Sequence, residues 1–208
     1  MLASEFVGKV FTKFKGKPAV KAPKSGDPKF AMYLSIANDK IADWVDDIDY
    51  CWRTVRRVES IEIINRTVTL PVDYARLADS EIYAGNNKLE VIDYLDRKGD
   101  IDGVYEDNGL LRLTSDKHDG EHLEFTILFY PPKLTDAQSL VVCDSLNWLI
   151  AEVAATVAFN DPQKQDNAPD LAGMADVAYK RMARRARKKP RGSVGRSRTL
   201  MQRIGRTW

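Results

Sequence analysis

Apolar residues recur at helical spacing toward both ends of this chain and at alternate positions in its middle. Within 4–15, Phe6, Val7, Val10, Phe11 and Phe14 form one stripe, with Ser4 placed to cap it and Gly16 to stop it. Residues 16–25 are rich in Lys, Pro, Gly and Ser and have little to bury. Asp27-Pro28 pairs a capping residue with proline at the first helical position. It predicts a second helix over 28–46 that buries Phe30, Leu34, Ala37, Ile41 and Trp44.

After Asp49 the period changes to two. Residues 60–64 and 67–71 have strand composition and are separated by Asn65-Arg66 in a turn. Further strands are predicted at 89–95, at Val104-Tyr105 and at 110–113. Asp107-Asn108-Gly109 makes the hairpin turn between the last two, because Asn and Gly accept positive φ. The clearest strand is 122–130, where Leu123, Phe125, Ile127 and Phe129 line one face. The stretch 53–130 therefore reads as a small antiparallel β unit.

Pro131-Pro132 ends that unit. Thr135-Asp136-Ala137-Gln138 has the form of a capping box, predicting a helix over 135–159. Leu140, Val141, Leu146, Leu149, Ile150, Val153 and Val157 make it apolar on nearly every side, so it must be wrapped by other elements. Asn160-Asp161-Pro162 closes it, and a last helix over 170–189 presents Leu171, Met174 or Ala175, Ala178, Met182 and Ala186. The predicted class is α+β: a helical bundle with a long central helix, an antiparallel β insertion between helices two and three, and an extended basic C-terminal arm. Residues 1–189 form the body and 190–208 a flexible arm.

Little in the chain suggests catalysis. His118 and His122 flank Asp119-Gly120 and read as surface turn residues; their four-residue spacing suits a metal only on a helix. Asp100-Ile101-Asp102-Gly103 lacks the alternating oxygen ligands and closing Glu of a calcium loop. Asp46, Asp47 and Asp49 read as a solvated helix end, with divalent binding or a partner contact as the alternative. Gly16-Lys17 is followed by Pro, not by the Ser or Thr of a phosphate loop. Cys51 and Cys143 read as buried reduced thiols, Cys143 within the most buried helix, where a thiolate would be costly. No enzymatic activity, cofactor or metal is expected. The first residues lack the features of a secretory signal, and no apolar run is long enough to span a bilayer, which points to synthesis in the cytoplasm.

Charge changes this picture most. Residues 180–208 hold twelve Lys or Arg and no Asp or Glu, whereas the preceding 179 residues hold 20 basic against 30 acidic side chains. Such a division pairs an acidic body with a segment that seeks an acidic partner. Arg184, Arg185, Arg187, Lys188 and Lys189 continue the last helix, where they also suit its dipole. Beyond Pro190 come Arg191, Arg196 and Arg198, with too little apolar content to fold alone. At the tip, Leu200, Ile204 and Trp208 recur every four residues with Met201 beside them, while Arg203 and Arg206 fall on other faces. A helix so short needs a partner's groove to stabilise it.

The order of elements also carries a resemblance. Two N-terminal helices lead through Cys51-Trp52-Arg53-Thr54-Val55-Arg56-Arg57 into strands that close on Leu70-Pro71-Val72-Asp73-Tyr74. The β insertion ends as Leu128-Phe129-Tyr130-Pro131-Pro132-Lys133-Leu134-Thr135, ahead of a long apolar helix and an Ala/Arg-rich final one. Over roughly 2–187 the chain resembles the head-to-tail adaptor (connector) proteins of tailed bacteriophages. The resemblance implies a homo-oligomeric ring, commonly of twelve copies, in the neck of the virion below the portal. It further implies a C-terminal arm docked on the portal protein, a downstream tail or neck protein, and a channel that passes genomic DNA. The basic tail is stronger than that pattern.

Two functions follow. As a structural virion protein, the chain would set the fourteen arm residues from Arg184 to Trp208 named above against a portal, arginines on acidic groups and apolar residues in a groove. As a nucleic-acid-binding protein, it would use the same charge to neutralise phosphates.

Overall fold

A computed structural model describes residues 1–16, 21–47, 52–78, 81–96 and 101–186. Among them, four α-helices, α1 (Ala3–Lys15), α2 (Pro28–Asp46), α3 (Leu146–Phe159) and α4 (Ala168–Ala186), surround one core. Eight strands surround another: β1 (Arg56–Glu62), β2 (Thr67–Thr69), β3 (Tyr74–Leu77), β4 (Ile82–Ala84), β5 (Asn87–Val91), β6 (Gly103–Asp107), β7 (Leu110–Leu113) and β8 (His122–Phe129).

The α+β class stands, but the helical bundle with a small antiparallel insertion does not. The strands form a single mixed sheet in the order β1-β8-β4-β5-β6-β7-β2, with β3 also paired to β8. It curls until it is nearly closed, because the turn at Asn65-Arg66 joins its two outermost strands and Ile64 bridges Thr67. Pattern reading missed the short β3 and β4, where alternation has too few positions to register. It also missed that β5 and β6 run parallel, with Glu90 opposite Gly103. A Cβ at Gly103 would lie 2.9 Å from the Glu90 carbonyl oxygen, so this seam closes only over glycine.

The interior of the sheet is aliphatic and aromatic: Ile63, Val68, Leu89, Val104, Leu111, Leu123, Phe125 and Ile127 are all buried. Strand β8 is the seam between halves. Its alternation sends Leu123, Phe125 and Ile127 into the sheet interior, while Leu128 joins Val55, Ala78 and the helices. The Asn108-Gly109 hairpin forms as expected, with φ of 50° and 77°. Asn65 and Arg66 adopt the same left-handed region at 50° and 59°. There the Arg66 amide donates to Asp119 at 2.6 Å and its carbonyl accepts from Leu113 at 2.9 Å, which offsets the unfavourable backbone.

Helix α3 packs against α1, α2 and α4, the central role its composition demands. Its start is a correction: the helix begins at Leu146, not 135. Asp136 accepts from the amides of Gln138 and Ser139, so the expected capping box becomes an isolated turn. The chain after it is committed to the N-terminus instead. Ala3 and Ser4 donate to the carbonyls of Ser139 and Ala137, and Val141 donates to Met1. These bonds cap α1 with backbone in place of the Ser4 side chain. Ser145 then caps α3 by accepting from the Trp148 amide. Helix α4 begins two residues before the expected position, and 187–189 and the arm over 190–208 lie outside the described residues.

Candidate functional site: the basic end of α4

Helix α4 is amphipathic along its length. Leu171, Ala175, Met182, Ala183 and Ala186 are buried, and Arg181, Arg184 and Arg185 in its last turns are exposed. Ala175 takes the stripe position that Met174 could have filled; Met174 is 54% exposed. An aromatic cluster holds the helix in place. The Tyr179 ring lies 5.7 Å from Trp148 and 6.0 Å from Trp52, and Trp44 lies 5.3 Å from Trp52. The Tyr179 hydroxyl donates to the Asp47 carboxylate, while Arg76 donates to the Asp47 carbonyl at 2.6 Å. Asp46 accepts from the Tyr130 hydroxyl, which raises that phenol to about 12. The acidic end of α2 is thus a clasp for α4 and the end of the sheet, not only a solvated terminus; Asp49 lies outside the described residues.

Beside α4 the segment entering β1 meets the segment entering α3. The Asp144 carboxylate accepts from the amides of Arg53 at 3.0 Å and Thr54 at 2.8 Å, and from the Thr54 hydroxyl at 2.6 Å. Above this anchor is a cleft of about 390 Å³, walled by Asn147, Ala178 and Met182 and rimmed by Arg53, Arg181 and Arg185. Arg181 and Arg185 share the face because they are four residues apart on a helix.

Of the expected partner-binding residues, Arg184 and Arg185 sit on α4, and Arg185 reaches the cleft. Arg187, Lys188, Lys189, Arg191, Arg196, Arg198, Leu200, Met201, Arg203, Ile204, Arg206 and Trp208 lie outside the described residues. Arg53 and Arg181 were not singled out from sequence. The spacing of Arg181 from Arg185 was a legible signal, whereas the approach of Arg53 depends on Asp144, 91 residues away.

Elsewhere the structure corrects two readings of candidate chemistry. His118 is no surface turn residue: it is 2% exposed, with Nδ1 2.9 Å from Glu121 and Nε2 3.2 Å from Asp102. Burial pushes the Asp102 carboxyl upward, but hydrogen bonds from Lys117 and His118 outweigh it and hold the group below its ordinary range. Lys117 and His118 both meet Asp102 Oδ2, while Oδ1 is buried without a hydrogen-bond partner among the described residues; Asp100 lies outside them. His122 is exposed at the start of β8, opposite Glu62. Among the described residues no three His, Cys, Asp or Glu side chains are arranged to hold a metal ion.

Cys143 precedes α3 instead of lying within it. It is buried, and desolvation pushes its thiol up to about 12. Cys51 lies outside the described residues.

The short motifs behind the adaptor resemblance do meet in space. Arg57 makes a two-pronged bond to Asp73 at 2.6 and 2.7 Å, lies over the Phe129 ring at 4.8 Å, and also contacts Glu59. The Arg57 hydrogen bonds hold Asp73 below the usual carboxylate range. The Asp73 carbonyl accepts from the Tyr130 amide at 2.8 Å, joining the segment at 70–74 to the one at 128–135. No known family model matches the chain, and no curated protein does. No helix among the described residues is long and apolar enough to cross a membrane.

Proposed function

We propose that this chain is a structural adaptor of a tailed-phage head-to-tail joint, a ring subunit in the virion neck that binds a portal protein through its basic C-terminal segment. One observation supports it above others. Arg181, Arg184 and Arg185 stand exposed at the end of α4, with no carboxylate partner among the described residues, and lead directly into the basic stretch 187–208. A rigidly clasped helix that ends in unneutralised arginines is a fixed base for a segment that meets acid elsewhere. In this reading the chain carries no catalytic site, assembles as a homo-oligomer, probes a downstream tail or neck protein with its other face, and lets genomic DNA pass. An acidic body favours that passage, since carboxylates facing a channel repel phosphates.

The test is joining of the purified chain to its portal ring, read by negative-stain microscopy. Ile204→Ala and Trp208→Ala are expected to impair joining although nearly all the positive charge remains. The nucleic-acid reading predicts the opposite pattern: binding to any DNA duplex, falling steeply with salt and indifferent to those two substitutions. Joining that survives both, with duplex binding lost on deleting 184–189, would replace the adaptor reading.

A further inference from the structure

We propose that the cleft between α4, the start of α3 and the segment entering β1 is a binding site for a glutamate side chain of an acidic partner polypeptide. The ligand class, though not the cleft, rests on the preceding reading that the partner is a protein.

Three exposed arginines, Arg53 from the segment entering β1 and Arg181 and Arg185 from α4, line one concavity. None has a carboxylate partner among the described residues, whereas Lys40, Arg57, Arg112, Lys117 and Lys180 each have one. The single acid in the cleft is already spent: both Asp144 oxygens accept bonds, from two amides and a hydroxyl. Positive charge in the cleft therefore exceeds negative, and the start of α3 adds the favourable end of its dipole.

Shape selects among anions. A cleft of about 390 Å³ has room for an acidic side chain, and its wall of Ala178 and Met182 suits the methylene stem of a glutamate while the arginines fork onto its carboxylate. A duplex instead offers one phosphate charge per ~1.7 Å of helix axis, counted over both strands of a convex rod, best met by charge spread over a surface.

The experiment measures binding of a fluorescein-labelled Glu-rich octapeptide to the full chain by fluorescence anisotropy. Labelled 20-base-pair duplex serves in a parallel arm. Because the C-terminal segment is itself basic, it is kept intact, and the cleft variant Arg53→Ala/Arg181→Ala is compared with the charge-matched variant Lys9→Ala/Lys29→Ala, whose lysines are exposed on α1 and α2. Peptide affinity is expected to fall about tenfold or more in the cleft variant, as for loss of forked charge-assisted bonds, and less than about threefold in the matched variant. Arg181→Lys should lie between, since an ammonium cannot fork. Far-UV circular dichroism establishes that the variants are folded, and Arg185→Ala alone gives a second, milder removal of the same charge.

Equal losses in the two variants, or no saturable peptide binding, would overturn the site. A duplex that binds more tightly than the peptide and weakens only in the cleft variant would assign the cleft to nucleic acid instead. Failure of portal joining with intact peptide binding would count against the adaptor reading and leave the cleft in place.

Discussion

The helical half and the sheet half bury the same kinds of residue but treat rings and charges differently. The helical core gathers Trp44, Trp52 and Trp148 with Tyr179 around α3, so aromatic contacts fix how its elements meet. The sheet interior holds Phe125 among aliphatic residues, and its specificity comes from polar ties at its margins, Arg57 to Asp73 and His118 to Asp102 and Glu121. Helices built from local hydrogen bonds need side-chain packing to find their neighbours. Strands find theirs through backbone and need side chains chiefly to fix register and closure.

If β8 makes the halves one cooperative unit, damage to either should melt both. Phe125→Ala in the sheet is expected to cost about 3–5 kcal/mol and Leu149→Ala in α3 about 2–5 kcal/mol. All three described tryptophans belong to the helical core, so in a Trp208→Phe background tryptophan fluorescence reports that half alone. Coincident fluorescence and far-UV transitions are expected for both variants. A Phe125→Ala protein whose far-UV signal melts before its fluorescence would separate the halves.

His118→Ala should cost about 2–3 kcal/mol, because it strips a buried partner from two carboxylates at the sheet margin. Urea unfolding measures it, and a loss under half that value would mean the margin relaxes independently. Gly103→Ala is expected to cost about 1–3 kcal/mol by forcing the parallel seam apart; thermal melting with amide exchange of Val104 and Thr114 would locate the damage.

The smallest effect is electrostatic. Asp73 is held below its ordinary range, so its pairing with Arg57 stabilises fully above the ordinary carboxylate value. That contribution disappears as pH falls through the depressed one. With both side chains more than a third exposed, it should be about 1 kcal/mol or less. The gap in urea midpoint between wild type and Asp73→Asn should be present at neutral pH and close in strong acid.

Local signals were readable wherever one stretch of chain decides its own structure. Asp27-Pro28 marks the start of α2, Asn108-Gly109 makes its hairpin, and alternation along β8 places Phe125 and Ile127 inside. The basic run at the end of α4 was equally legible, since charge density needs no fold to be seen. The capping box at Thr135 misled because its residues satisfy each other only if the following chain is free to coil. Here Ala137, Ser139 and Val141 are bound to the first residues of the chain. Burial of His118 depended on Asp102, and the cleft on Asp144 reaching Arg53 and Thr54, contacts between segments far apart in sequence.

By itself the sequence determined which segments coil, which alternate, where the chain turns and where its positive charge lies, because backbone preference and side-chain period act over a few residues. Tertiary structure alone decided how far the sheet closes, where α3 begins and that Arg53 lines the same cleft as Arg181 and Arg185. Each of those depends on hydrogen bonds and packing between residues that only the folded chain brings together.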